Sequence, residues 1–319
     1  MKDPKVSVVI PTYKRTAYLE KALISVVGQT FTDFEVLVVN DYPPFRDTVE
    51  EVVAKIGDSR IKLIHHEQNG GESQSRNTAL AVAKGEIVAL LDDDDVWKPK
   101  FLERSVEVHD ANPRVGIVYT GLLQFWDDNI LGQKEIAPPA RPADTTAAML
   151  AGKFVLASSS IVSLKKEVFD ECGLFDTSLP SLADWDMWLR ISFKYDIQPL
   201  DESLVYYRHH LGVRGSTDIS KRLGGLAVVR EKWGKQYPSF LKYYRRLRVT
   251  AYFNEIRNNV LSGNRSAGAK LLFKFIRDCG KDFFKFPNFF GFSVVLLVAG
   301  NWYKRQQLKK YPAKLGVPV

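Results

Sequence analysis

The 319 residues, 45% hydrophobic and 12% aromatic, have the composition of an ordered globular chain, which excludes a disordered, collagenous or low-complexity protein. Two isolated cysteines, Cys172 and Cys279, stand in neither metal nor redox spacing; they exclude a disulfide framework and fit a reduced, cytoplasmic protein. The net charge of +8 is unevenly spread: from Lys221 onward 21 Lys+Arg face 4 Asp+Glu (+17), leaving 24 basic and 33 acidic residues (−9) before it.

Met1-Lys2-Asp3-Pro4 leads straight into a strand over residues 5–10, stopped by Pro11, with no secretory signal ahead of it. Thr16 caps a helix whose Leu19, Ala22, Leu23, Val26 and Val27 share one face. Residues 34–39 form a second strand ending in Asn40-Asp41, followed by a helix over 46–55 and a strand over 61–64. Gly70-Gly71 breaks the chain before a helix over 73–84, with Gly85 as its C-terminal cap. Residues 86–91 are a continuous apolar run, as in the buried strands of parallel sheets. This succession of βα units predicts an α/β fold with a doubly wound, mostly parallel sheet that binds a nucleotide.

At the carboxyl end of that last strand stand Asp92, Asp93, Asp94 and Asp95. Four like charges beside an apolar strand repel one another unless a cation neutralises them. Ligands in open α/β sheets bind just outside the carboxyl ends of the strands. Oxygen-only ligands there suit Mn²⁺ or Mg²⁺, which would hold the phosphates of a nucleotide. The other reading of the run is a solvated acidic turn.

After Trp97 the pattern predicts a helix over 99–110, a strand over 115–119 and a surface loop over 126–145 with prolines at 138, 139 and 142. A strand over 154–162 carries Ser158-Ser159-Ser160. A helix over 184–195 and a strand over 204–207 come next, the latter ending in Arg208-His209-His210. Beyond Ser216 only helical periods remain, over 221–233, 239–261, 267–279 and 288–303. This predicts a catalytic domain over 1–215 and a basic helical region over 216–319.

Such a basic region usually partners nucleic acid or an anionic membrane surface. Its apolar run over 289–300 is shorter than the about 20 residues a membrane span needs. Phe283-Phe284-Lys285 and Trp302-Tyr303-Lys304-Arg305 flank it, an arrangement suited to a headgroup boundary. The alternative is a core helix with solvated cations.

Several short motifs occur in a familiar order: Val8-Val9-Ile10-Pro11-Thr12-Tyr13, Gln29-Thr30-Phe31, Val39-Asn40-Asp41, Gly70-Gly71, Arg76-Asn77, Asp92 to Asp95, and Asp184. Together they resemble the family 2 glycosyltransferases over about residues 5 to 215. That resemblance implies a GT-A fold, inverting transfer from a nucleotide-sugar donor, and a divalent cation. It places Pro11, Thr12 and Tyr13 at the nucleoside, Asp41 on a base nitrogen, and Arg76 near the diphosphate or base. Asp92 and Asp93 would serve the nucleotide and Asp94 the metal, while Asp95 either joins them or caps the next helix. His209 or His210 would approach the metal or diphosphate, and both cannot point one way from an extended segment.

The general base implied by the resemblance is Asp184, at the start of its helix, with Asp186 as competitor on another face. The chain departs from the family at Asn40-Asp41-Tyr42-Pro43 and at Lys14, where Asn is commoner. Both positions touch the pocket expected for uridine. The multi-spanning helices and Gln-x-x-Arg-Trp motif of processive synthases are missing, which implies transfer of one or a few sugars. The acceptor expected from the resemblance is a glycan or lipid-linked hydroxyl in surface-glycan synthesis, reached from the cytoplasmic side of a membrane; the family gives nucleic acid no role. Two other readings share these features: a nucleotidyltransferase, and a non-catalytic nucleotide- or sugar-binding module on a basic anchor.

Overall fold

The structure, a computed structural model, describes residues 2–126, 129–209 and 218–279, without the side chains of residues 129–132, 261 and 279. These residues form two compact units, one from residues 2–179 and 183–209, the other from residues 180–182 and 218–279.

The first unit begins with four strands, β1 (Val6–Thr12), β2 (Phe34–Asn40), β3 (Ile61–His65) and β4 (Ile87–Leu90). All are parallel, in the order β3-β2-β1-β4. Every residue of β2 and β4 is buried, so these strands are mostly apolar without alternation, Glu35 and Asn40 being the buried polar exceptions in β2. The connecting helices are α1 (Thr16–Val27), α2 (Arg46–Ile56) and α3 (Glu72–Val82). In α1 the buried face is Leu19, Ala22, Leu23 and Val26.

Three local expectations are corrected here. Pro11 does not stop β1, which continues to Thr12 opposite Asn40. The ladder with β4 ends at Val9, so the amide hydrogen that proline lacks is not needed there. Thr16 is the first residue of α1, and Arg15 takes the capping position with no side-chain cap bond. Gly85 is not a left-handed cap, since α3 gives way to an extended Ala83. Instead, a Cβ at Gly85 would lie 2.4 Å from the Ser7 nitrogen, so glycine lets the chain run against β1.

The rest of the unit extends the sheet in mixed directions. It comprises β5 (Val96–Trp97), α4 (Phe101–Ala111), β6 (Val115–Trp126), β7 (Asn129–Ile136), α5 (Thr145–Leu150), β8 (Val162–Lys165), α6 (Glu167–Cys172), α7 (Ala183–Ser192) and β9 (Asp196–His209). Strand β8 joins β4 antiparallel, β6 joins β8 antiparallel, β9 joins β6 in parallel, and β5 returns antiparallel on β9.

The expected loop over 126–145 holds β7, paired antiparallel with the second half of β6, and α5, capped by the Asp144 side chain on the Ala147 amide. Its polar residues stand on a ribbon at the side of the sheet, so the apolar signal of a strand is absent. The expected strand over 154–162 is loop and a 3₁₀ turn at Ser159–Ile161, with pairing starting only at Val162. Strand β9 runs 14 residues, far beyond the 204–207 predicted.

The second unit contains α8 (Ile219–Trp233), α9 (Pro238–Leu261) and α10 (Arg265–Cys279). Val249, Tyr252, Ile256, Leu272 and Phe275 form its core. Asp218 caps α8, accepting from the Ser220 and Lys221 amides. Among the described residues no helix is long and apolar enough to cross a membrane. The domain boundary near residue 215, His210, the helix over 288–303 and the apolar run over 289–300 lie outside the described residues.

Candidate active site

Parallel alignment brings the carboxyl ends of β1, β2, β3 and β4 to one edge of the sheet. There Thr12 lies opposite Asn40, and Asn40 opposite His65. Leu91, just past β4, donates to the Val9 carbonyl, and the acidic run begins at the next residue. The chain beyond the aspartates is pinned by the Gln29 motif: the Gln29 amide donates to Lys98 O (2.9 Å) and accepts from the Leu102 amide (3.0 Å). Gln29-Thr30-Phe31 is therefore a brace for that segment.

The four aspartates point to different partners. Asp93 turns toward β1, accepting from Thr12 Oγ1 (2.8 Å) and the Tyr13 amide (3.2 Å). Asp92 accepts from Arg76 Nη2 (2.8 Å). Asp95 accepts from Ser160 Oγ (2.6 Å) and the Arg208 amide (3.0 Å) and does not cap α4, whose capping position is Lys100. One carboxylate oxygen from each of Asp92, Asp94 and Asp95 lies within 4.8 Å of the others. Three converging hard-oxygen donors suit a divalent cation.

Three arginines supply countercharge. Arg15 pairs with Asp94 and lies 3.2 Å from Asp93 Oδ1. Arg76, 2% exposed, bonds Asp92 and Glu72 and lies over the Phe175 ring. Arg208 sits over the rings of Tyr18 and Phe125 and donates to the Asp94 carbonyl (2.9 Å). Even so, burial pushes Asp92 up to about 6, against the pull of Arg76. Burial likewise pushes Asp93 up to about 7, Arg15 opposing, and raises Asp95 well above the usual carboxylate range.

At the end of β2, the Asp41 carboxylate accepts from the Gly70 (2.7 Å) and Gly71 (2.8 Å) amides and from His66 Nδ1 (2.8 Å). The diglycine is thereby fastened to β2, with Gly71 at φ +82. Nearby, Tyr13 and Tyr42 meet edge to face at 5.2 Å, and Lys14 Nζ lies over both rings. Lys14 is left-handed (φ +62), a conformation Asn tolerates well, which accounts for Asn being commoner there.

Asp184 and Asp186 both lie in the first turn of α7. Asp186 is 0% exposed and paired with Arg190 Nε at 2.9 Å. Arg190 also donates to the carbonyls of Cys172, Gly173 and Leu174, closing the turn after α6. Asp184 is partly exposed. With Glu72 and Asp92 its charge offsets the burial cost of the Arg76 guanidinium, so it lies within the field of Arg76. His209 stacks on Trp126 at 5.1 Å and is not among the converging donors.

A family model described as glycosyl transferase family 2 matches residues 7–173, just over half the chain. The chain belongs to this family.

An uncharacterized Haemophilus influenzae glycosyltransferase is 28% identical to it over 235 residues, 72% of this chain and 77% of that protein. An Escherichia coli protein, WcaA, provisionally named a colanic acid biosynthesis glycosyl transferase, is 28% identical over 193 residues, covering 60% of this chain and 68% of its own length. Among solved structures, S. aureus TarS in complex with UDP-GlcNAc aligns at TM-score 0.56 and 19% identity over 79% of this chain and 81% of that one. The mannosyltransferase PcManGT of Pyrobaculum calidifontis, in complex with GDP-Man and Mn²⁺, aligns at TM-score 0.55 and 19% identity over 95% and 89%. The fold is GT-A, and membership of the family makes this chain a glycosyltransferase.

In this family 2 glycosyltransferase the carboxyl edge gathers Pro11, Thr12, Tyr13, Asp41, Arg76 and the acidic run, with Asp184 within the field of Arg76. Three further residues were missed by the sequence reading. Arg15 and Arg208 carry the countercharge, and Ser160 bridges the Asp92 amide (3.1 Å) to the Asp95 carboxylate. Arg208 and Ser160 come from 65 to 116 positions away along the chain, so no local pattern signals them. Arg15, 77 positions before Asp92, could have been suspected only as a cation beside the Pro-Thr-Tyr motif.

Proposed function

We propose that the protein is a metal-dependent, inverting glycosyltransferase. It transfers a sugar from a nucleotide-diphosphate donor, with uridine the base we favour, to a hydroxyl of a glycan or lipid-linked acceptor. The observation that carries this reading is the convergence of three carboxylates at the carboxyl edge, with Asp184 in the field of Arg76. Asp92, Asp94 and Asp95 would hold Mn²⁺ or Mg²⁺, which supplies positive charge to the leaving diphosphate. Tyr13 offers the base an aromatic face, and Asp41, tied to three donors, keeps a lone pair for a base N–H. Pro11 and Thr12 shape the wall behind the nucleoside. Asp184 takes the proton of the acceptor hydroxyl as that oxygen attacks opposite the diphosphate. The name given to the E. coli relative favours surface-polysaccharide synthesis as the setting.

Location at a cytoplasmic, anionic membrane surface belongs to the same proposal. On α10, Phe273 is 74% exposed and Ile276 is also exposed, between exposed Lys270, Lys274 and Arg277. Apolar side chains set among cations suit a headgroup layer better than nucleic acid.

Calorimetric titration of UDP tests the core of the reading. With Mn²⁺ present the wild type should bind, and EDTA or Asp94→Asn should remove most of the affinity. Binding unchanged in both cases defeats the metal role.

A further inference from the structure

Arg15 differs from the other two arginines of the acidic run in a way that gives it a separate task. Arg76 is held by Glu72 as well as Asp92, with Phe175 beneath it. Arg208 lies over two rings and on backbone. Both are almost fully buried, whereas the Arg15 side chain is 27% exposed. The charge of Arg15 is met by Asp93 and Asp94, and Asp94 is one of the three converging donors. Its contact with Asp93 is loose: Asp93 Oδ1 lies 3.2 Å from Arg15 Nε yet is buried without a hydrogen-bond partner. Backbone on either side is irregular, with Lys14 left-handed and Arg15 at φ −129, ψ 46 before α1 starts.

We propose that Arg15 is a hand-over cation: it neutralises Asp94 in the donor-free protein and moves onto the donor's diphosphate when a divalent ion takes Asp94. This rests on the metal-dependent reading above. A divalent ion taking Asp94 and the guanidinium already paired with that carboxylate are like charges at close range and repel. The incoming ion therefore competes with Arg15. The displaced guanidinium is a planar fork of donors that suits a diphosphate arriving with the ion. The ion alone then binds weakly because it must displace Arg15, and ion with diphosphate binds cooperatively because Arg15 gains a new partner. The donor site is thus kept from loading with metal until a diphosphate accompanies it.

The test titrates the full chain with MnCl₂ alone, then with inorganic pyrophosphate at fixed Mn²⁺, comparing wild type with Arg15→Gln. The variant should bind Mn²⁺ alone about tenfold more tightly, because one competing cation is gone. It should bind pyrophosphate with Mn²⁺ about tenfold more weakly, because a charge-assisted fork is gone. A residue with only a structural role would weaken both. Arg15→Lys, which keeps the charge but cannot bridge Asp93 and Asp94 as a fork, should move both affinities in the same directions by about threefold; it decides the matter if Arg15→Gln does not fold. Mn²⁺ binding that Asp94→Asn abolishes but both Arg15 variants leave unchanged overturns the hand-over alone. A wild type with no Mn²⁺ binding even beside pyrophosphate overturns the metal site and the hand-over with it.

Discussion

Asp184 and Asp186 are two residues apart in one helical turn, and exchanging each for Asn should separate catalysis from stability. Asp186 is fully buried, and its partner Arg190 also clamps three carbonyls after α6. Removing one member of a buried ion pair costs about 3–5 kcal/mol, and Asn, which still accepts a hydrogen bond, should fall near 3 kcal/mol. At about 2–4 °C per kcal/mol, Asp186→Asn should lower Tm by roughly 6–12 °C. Asp184 is partly exposed and contributes a helix N-terminal charge worth about 0.3–1 kcal/mol, so Asp184→Asn should lower Tm by less than about 4 °C.

Rates should rank the other way. Loss of a general base costs about 10²–10⁴ in turnover, roughly 3–5 kcal/mol of barrier. The pair can be followed by nucleotide release from a panel of UDP- and GDP-sugars with mixed glycan acceptors, at a temperature where both variants are folded. UDP binding should survive Asp184→Asn. Near wild-type turnover in Asp184→Asn, or an Asp186→Asn variant that is as stable as wild type but inactive, refutes the assignment.

Three further outcomes are expected. His109, buried against Ser163 Oγ, has its pKa pushed down to about 4 by burial, from 6.5. The unfolded chain takes up that proton first, so about 3 kcal/mol of stability, present above pH 6.5, is lost as pH falls toward 4. Asp92 and Asp93, with raised values, act in the opposite sense, so the informative quantity is the wild type minus His109→Gln difference in Tm across that window; a flat difference contradicts the assignment. Gly85→Ala should cost about 3 kcal/mol or more in urea unfolding, since its Cβ would meet the Ser7 and Val6 backbone at 2.4 and 2.6 Å, and a neutral effect would show that β1 can yield. The full chain should float with anionic liposomes, less so at high salt, while Phe273→Ser combined with Lys270→Glu and Lys274→Glu should reduce flotation about tenfold; equal flotation at low salt removes α10 from the membrane reading.

The parallel half of this protein was legible in the sequence because burial on both faces leaves no choice of residue. The runs of β1, β2 and β4 are mostly apolar, with Ser7 and Glu35 paired to each other inside, and strands so composed are internal. Their carboxyl ends then mark the crevice, which singled out the acidic run before any fold was seen, while Thr12 and Asp41 were named from the resemblance to the family 2 glycosyltransferases. The antiparallel half was not legible. Strand β7 and most of β9 are mixed in polarity, and their pairing depends on β6 lying alongside, which no window of sequence contains. Helical spacing alone placed Asp184 and Asp186 on different faces, but which face met the core depended on Arg190 closing over Asp186. The acidic run likewise announced a need for positive charge; that Arg15, Arg76 and Arg208 meet it was decided by tertiary structure. Electrostatic attraction acts through space and leaves no mark on the spacing of residues along the chain.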